Sequence, residues 1–343
     1  MSRDHVFVTR RIPQDGLDLL ADADGVRVTV FQQDETKGLT RDELLEGVRS
    51  CDVLLCQLTE PIGREVLSAN ERLLGVAQMA VGYDNVDVPV ATELGVPVTN
   101  TPGVLTDTTA DTTWALLLAA ARRIPESHRY MVEGRYKIWG PNLLLGYDVS
   151  PGGSGRRKVL GIVGYGRIGQ AVARRATGFD MEVLAHDPFN RDGVDSDDIA
   201  TWAELDELLE RSDFISLHPA LTEDTRHLIG EAELRKMKPT AVLVNASRGP
   251  VIDEEALVKA LKENWIGGAG LDVYEDEPAM KPGLAKCENA VLVPHIGSAT
   301  RDTRGKMATM AATNALAHLR GERAPNCVNP EVYDTEAYRR RTG

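Results

Sequence analysis

The sequence is short of three things. It has only four cysteines in 343 residues (Cys51, Cys56, Cys287 and Cys327), and no Cys-x-x-Cys pair among them. That spacing gives no zinc ribbon and no redox dithiol, so no metal site is expected. Cys51 and Cys56 lie in an apolar run, where thiols pack as small hydrophobes. A reducing compartment, the cytoplasm, is the expectation. Long apolar runs are also missing. The longest, Trp114 to Ala121, falls well short of a membrane span, and the charged start Met-Ser-Arg-Asp-His does not read as a secretory signal. The third deficit is positive charge. Lys and Arg number 39 against 52 Asp and Glu, for a net charge of -13. That balance argues against nucleic acid or an anionic membrane as partner. Anionic ligands would then need local positive groups, with the excess acid spread over solvated faces.

What is present is alternation. Short apolar runs at 5–9, 26–31, 51–56, 73–80 and 96–100 alternate with helical spacing at 14–23, 40–50, 65–69 and 88–94. Thr40 is placed to cap the second of these helices. A long helix is expected from about 107 to 124, apolar almost all round and therefore buried between domains. The stretch from Pro125 to Ser150 reads as irregular, and 151–157 as a flexible, exposed loop. A second alternating series then begins, with strands at 159–163, 182–185, 214–217, 241–245, 268–273 and 291–293. Its helices include 167–177 and 254–263. Such alternation implies parallel sheets covered on both faces. The expected fold is α/β: two doubly wound parallel-sheet domains of the Rossmann and flavodoxin-like kind, with a cleft between them.

The second series opens with Val-Leu-Gly-Ile-Val-Gly-Tyr-Gly-Arg-Ile-Gly, in which Gly164, Gly166 and Gly169 form G-x-G-x-x-G. The first glycine permits the tight turn, the second lets backbone approach a pyrophosphate, and the third lets helix pack on strand. The helix N-terminus offers its N–H groups and positive dipole end to the anion. Asp187 follows the next strand about twenty residues on, where a carboxylate binds ribose hydroxyls and disfavours a 2′-phosphate. NAD is expected over NADP, although Arg191 is a nearby group able to accept that phosphate.

Three later segments each follow a strand: Asn245-Ala246-Ser247-Arg248-Gly249, Gly270 to Pro278, and Pro294-His295-Ile296-Gly297-Ser298. Ligands in an open parallel sheet bind beyond the carboxyl ends of its strands, so Arg248, Asp272, Glu277 and His295 are candidates for one crevice. Reducing a ketone by hydride needs a proton donor, a cation on the carbonyl and a group that orients the donor. Histidine, arginine and a carboxylate suit those three roles.

These segments, together with Ala80-Val81-Gly82-Tyr83-Asp84-Asn85 and Asn100 to Asp107, resemble the D-isomer-specific 2-hydroxyacid dehydrogenase family, most closely its glyoxylate/hydroxypyruvate reductase branch. The resemblance runs over about residues 5–332. It implies His295 as acid/base, Glu277 as its partner and Arg248 as the substrate-binding cation. It implies Val81 and Gly82 N–H groups, with Arg248 and His295, on the 2-keto acid. It implies Gly164, Tyr165, Gly166, Arg167, Ile168, Gly169, Asp187, Ala246, Ser247 and Asp272 on the cofactor, with Arg167 and Ile168 over the pyrophosphate and Asp272 near the nicotinamide amide. It further implies a split substrate domain (1–103 with 298–343), an inserted cofactor domain (104–297), and a homodimer joined through about 107–150, where Trp139 would reach the partner. Other members, a D-3-phosphoglycerate or D-lactate dehydrogenase, are the alternatives, and an NADH-sensing corepressor-like protein is the alternative from another class. Two features depart from the family: proline at 219 rather than at 220, and a longer loop at 150–157.

Overall fold

The computed structural model describes residues 4–31 and 37–342. Residues 1–3, part of the charged start, lie outside them. The chain divides into two compact units, Met1–Leu105 with Ala299–Gly343, and Thr106–Ser298.

The described residues of the first unit form five strands: β1 (Asp4–Val8), β2 (Val26–Val30), β3 (Val53–Cys56), β4 (Gly75–Gln78) and β5 (Val98–Thr99). They pair in parallel in the order β2-β1-β3-β4-β5. β3 and β4 are buried along their whole length, which follows from cover on both faces. On one face Leu17 and Leu20 of the helix Gln14–Ala21 meet Met307, Ala308, Ala311 and Ala315 of Arg301–Leu319. The opposite core is built by Leu44, Leu45 and Val48 of Arg41–Arg49 with Val66 and Leu67. Thr40 caps Arg41–Arg49 as expected, accepting the Glu43 N–H while the Glu43 carboxylate accepts the Thr40 N–H, a capping box.

The second unit holds seven parallel strands: β6 (Val159–Val163), β7 (Glu182–His186), β8 (Ala200–Trp202), β9 (Phe214–Leu217), β10 (Val242–Asn245), β11 (Gly268–Leu271) and β12 (Ala290–Leu292). Their order is β12-β11-β10-β9-β6-β7-β8, the doubly wound order that reverses between β6 and β9 and puts a ligand crevice there. The long helix Thr106–Ala121 packs on this unit's own sheet, with Leu116 and Leu117 in a core shared with β6 and with Val242 and Val244.

Three local expectations change. The stretch after Pro125 is not irregular throughout, because Ile124–Val132 is helical. Pro125 sits in that helix's first turn, where a missing N–H costs nothing, and Arg123 at φ 52 turns the chain out of the preceding helix. The edge strand β8, absent from the sequence reading, has only three residues and pairs on one side. The loop at 151–157 is exposed but anchored: Arg156 pairs with Asp213 at 2.7 Å, and Arg157 donates to the carbonyls of Asp180 and Met181. No helix of the described residues is long and apolar enough to cross a membrane.

Candidate active site

The glycine loop follows β6 at the point where strand order reverses. Gly164 has φ +88, and a Cβ there would lie 2.6 Å from the His218 carbonyl carbon. A side chain is therefore excluded by both conformation and space. At Gly169 a Cβ would come within 2.3 Å of the Gly164 oxygen, so the helix Arg167–Ala176 can sit this close to the turn only with glycine there. Gly166 differs: a Cβ there would meet nothing within 4 Å. The protein leaves open space over Gly166, the cap residue of a helix whose first N–H groups have no intrahelical acceptor. That space and those donors fit a pyrophosphate. Arg167 is exposed and Ile168 half-buried on the same first turn.

Asp187 is tied to this loop. One carboxylate oxygen accepts the Tyr165 N–H at 2.8 Å and the other the Phe189 N–H at 3.1 Å. Tyr165 turns its own side chain inward, fully buried, with its hydroxyl donating to Asp197. Only its main chain belongs to the loop, and the Asn190 and Gln170 amides hold its carbonyl. Arg191 stacks 4.7 Å over the Trp202 ring and lies 3.6 Å from Asp195. Pro219, in the departing segment, packs beside Gly164. There His218 hydrogen-bonds Ser216, and burial pushes its pKa down to about 3.

Arg248, Glu277 and His295 come from the turns after β10, β11 and β12. His295 Nδ1 lies 2.9 Å from Glu277 Oε2, and the other Glu277 oxygen accepts the Tyr274 N–H at 3.0 Å. Burial pushes the Glu277 carboxyl up, but the hydrogen bond and charge of His295, the Tyr274 N–H and the Arg248 charge outweigh it and hold the group below its ordinary value.

Several residues whose roles the sequence did not suggest hold these three turns. Asn245, buried at the end of β10, accepts the Ser247 N–H and hydroxyl on its amide oxygen and donates to the Arg248 carbonyl. Buried Glu254 accepts the N–H groups of Glu275 and Lys281, gripping both ends of the loop that carries Glu277. Gly249 packs so tightly that a Cβ would fall 1.8 Å from the Tyr274 oxygen, locking the Arg248 turn to that loop. Asp272, expected beside the nicotinamide, accepts the Ile296 N–H at 2.5 Å and the Gly297 N–H at 2.8 Å, so its carboxylate also fixes the turn after His295. Burial raises its pKa against those two bonds. Ala246 and Ser247 are half-buried on the β10 turn, and Val81 and Gly82 lie in the other unit on the turn after β4.

Residues 114–297 match the family described as D-isomer specific 2-hydroxyacid dehydrogenase, NAD binding domain. A glyoxylate reductase of Korarchaeum cryptofilum is 52% identical over 329 residues, covering 95% of this chain and 96% of its own. A crystal structure of a protein from Thermus thermophilus aligns with TM-score 0.86 and 42% identity, over 94% of this chain and 99% of that one. An NADPH-dependent glyoxylate/hydroxypyruvate reductase of Sinorhizobium meliloti, solved with NADP and malonate, aligns with TM-score 0.78 and 30% identity, over 96% and 98%.

Proposed function

The chain belongs to the D-isomer specific 2-hydroxyacid dehydrogenase family, NAD(P)-dependent oxidoreductases acting on CH–OH groups, and from that premise we propose that it reduces glyoxylate and hydroxypyruvate with NADH, giving glycolate and D-glycerate. The observation that carries the reading is the 2.9 Å contact between His295 Nδ1 and Glu277 Oε2, with the Arg248 charge acting on the same carboxylate. The nicotinamide, when bound, supplies the hydride to the keto carbon. His295 supplies the proton. Its Nδ1 is engaged by Glu277, so the proton passes from Nε2 to the keto oxygen, C=O becomes CH–OH, and the ring is left neutral. Arg248 polarises the carbonyl and pairs with the carboxylate through its planar fork. The N–H groups of Val81 and Gly82 take the other carboxylate contacts.

On the cofactor side, the loop Gly164–Gly169 with Arg167 and Ile168 receives the pyrophosphate, Ala246, Ser247 and Asp272 flank the nicotinamide, and Asp187 takes the adenosine ribose. Preference for NAD is supported by Asp187 and by Arg191, which is occupied with Trp202 and Asp195. Comparing kcat/KM for glyoxylate, hydroxypyruvate, pyruvate and phosphohydroxypyruvate, each with NADH and NADPH, tests the whole reading. A protein that binds NADH yet reduces no short 2-keto acid would sink it.

The reading also makes the chain a homodimer joined through 107–150. Support comes from Ile124, Met131, Val132, Ile138, Trp139 and Leu145, all large, apolar and exposed within one segment, with Ile138 83% and Trp139 71% accessible. Light scattering on wild type and on Ile138→Asp, Trp139→Ser decides it: a wild-type monomer refutes the dimer. A cytoplasmic location is supported by four free thiols.

A further inference from the structure

Three successive carbonyls in the turn after β4 are each held by a donor. The Ala80 carbonyl accepts the Thr101 N–H at 2.9 Å. The Val81 carbonyl accepts the Asn100 side-chain amide at 2.8 Å. The Gly82 carbonyl accepts the Gln78 side-chain amide at 3.0 Å. These peptides are trans, because the cis bond of the described chain is Glu277–Pro278. In a trans peptide the N–H points opposite to the C=O. Holding the Ala80 and Val81 carbonyls on the segment 100–101 therefore turns the N–H groups of Val81 and Gly82 away from that segment, both to the same side. Among the described residues of this unit, neither N–H has an acceptor. Glycine at 82 would otherwise let the next peptide rotate freely, and the Gln78 amide is what stops it.

The two side chains are built for this. Gln78 is fully buried, and its amide is completed by Asn85: Gln78 Nε2 donates to Asn85 Oδ1 at 2.5 Å, and Asn85 Nδ2 donates back to Gln78 Oε1 at 3.2 Å. Asn85 is in turn anchored on the carbonyls of Gln57 and Glu60. Asn100 is 7% exposed. Its main chain is fixed separately, the N–H by the Asn326 carbonyl and the carbonyl by the Asn314 amide. Its side-chain amide thus serves Val81 rather than joining residue 100 to the fold.

We propose that Asn100 and Gln78 are positioning residues for substrate recognition, locking the turn so that the Val81 and Gly82 N–H groups present a fixed pair of donors to the substrate carboxylate. This rests on the reading that those two N–H groups bind a 2-keto acid. A preset donor pair binds an anion without the cost of first ordering the backbone.

The experiment is steady-state kinetics on the full chain, comparing wild type with Asn100→Ala and Gln78→Met. Oxamate, a non-reducible isostere of a 2-keto acid, serves as inhibitor at saturating NADH. In both variants the KM for glyoxylate and the inhibition constant of oxamate should rise together by about tenfold, while NADH affinity stays within about twofold. Mere structural damage would lower kcat through lost active protein and leave KM and the oxamate constant in place. If wild type reduces no 2-keto acid and is blind to oxamate, the functional reading fails first. If wild type does both and folded Asn100→Ala keeps its oxamate constant within about twofold, the positioning role is overturned. Should Gln78→Met not fold, Asn100→Ala decides alone, since residue 100 is tied to the fold through its main chain.

Discussion

His295 presents Nδ1 to Glu277 Oε2 at 2.9 Å from a backbone held at φ +52, a left-handed conformation uncommon for a residue with a side chain. The turn keeps that conformation because the Asp272 carbonyl accepts the His295 N–H while its carboxylate accepts the next two. Strain of this kind persists where surrounding contacts over-determine it.

That pair makes the first prediction. His295→Ala should lower kcat by about 10³-fold with NADH affinity intact, as titration of NADH fluorescence would report. Glu277→Gln keeps the shape and removes the carboxylate charge that His295 Nδ1 faces. Its reductive kcat should fall by about 10²-fold while NADH affinity stays intact. Because Glu277 is held below its ordinary value, its carboxylate persists as pH falls to the usual glutamate range and is lost only below it. A kcat near wild type in Glu277→Gln would separate that carboxylate from the proton donor.

The glycine loop makes the second. At Gly169 a Cβ collides with protein, whereas at Gly166 it meets nothing within 4 Å. Gly169→Ala should therefore lower Tm by several degrees, since overpacking costs about 1–3 kcal/mol. Gly166→Ala should leave Tm unchanged yet weaken NADH by at least about tenfold if, as proposed, the pyrophosphate takes that space. Equal NADH affinity in Gly166→Ala and wild type would mean the pyrophosphate lies elsewhere.

Gly249 makes the third. The Arg248 turn and the Glu277 loop meet there, with no room for a methyl group beside the Tyr274 carbonyl. Gly249→Ala should separate them, lowering kcat/KM by about 10²-fold while the loss of stability stays near 1–3 kcal/mol. Activity near wild type would show that the two turns need not be registered.

How much of this was legible depends on how local each requirement is. The G-x-G-x-x-G turn was readable because the pattern is carried by a few consecutive residues, with Gly164 at φ +88 and Gly169 packed on the Gly164 oxygen. The alternation of strands and helices was readable because burial on both faces imposes continuous apolar runs, as in β6 and β9. The helix Ile124–Val132 was hidden because Pro125 signals a break in isolation and a start only once Arg123 has turned the chain. Glu254 and the second task of Asp272 were hidden for a different reason. Each holds main-chain groups on a turn brought to it by the fold, at 21 positions' separation for Glu254 and Glu275 and 24 for Asp272 and Ile296. No spacing rule in one strand or helix encodes such a meeting.

His318 makes the last prediction, away from the site. Its ring is 2% exposed against Gly75, its Nε2 lies 3.5 Å from the Thr99 hydroxyl, and its Nδ1 has no partner among the described residues. Burial pushes its pKa down to about 4, from an ordinary 6.5. The unfolded chain thus takes up a proton below pH 6.5 that the folded chain refuses until about pH 4. Stability from this group is whole above the unfolded value, falls as pH drops between the two, and levels off below the folded one. The slope is about 1.4 kcal/mol per pH unit, so moving from pH 7 to pH 5 should remove roughly 2 kcal/mol. His318→Leu has no such proton to bind. Urea unfolding followed by circular dichroism should show wild type losing about 2 kcal/mol more than His318→Leu over that interval. Equal losses in the two proteins would mean that the buried ring accepts its proton without unfolding.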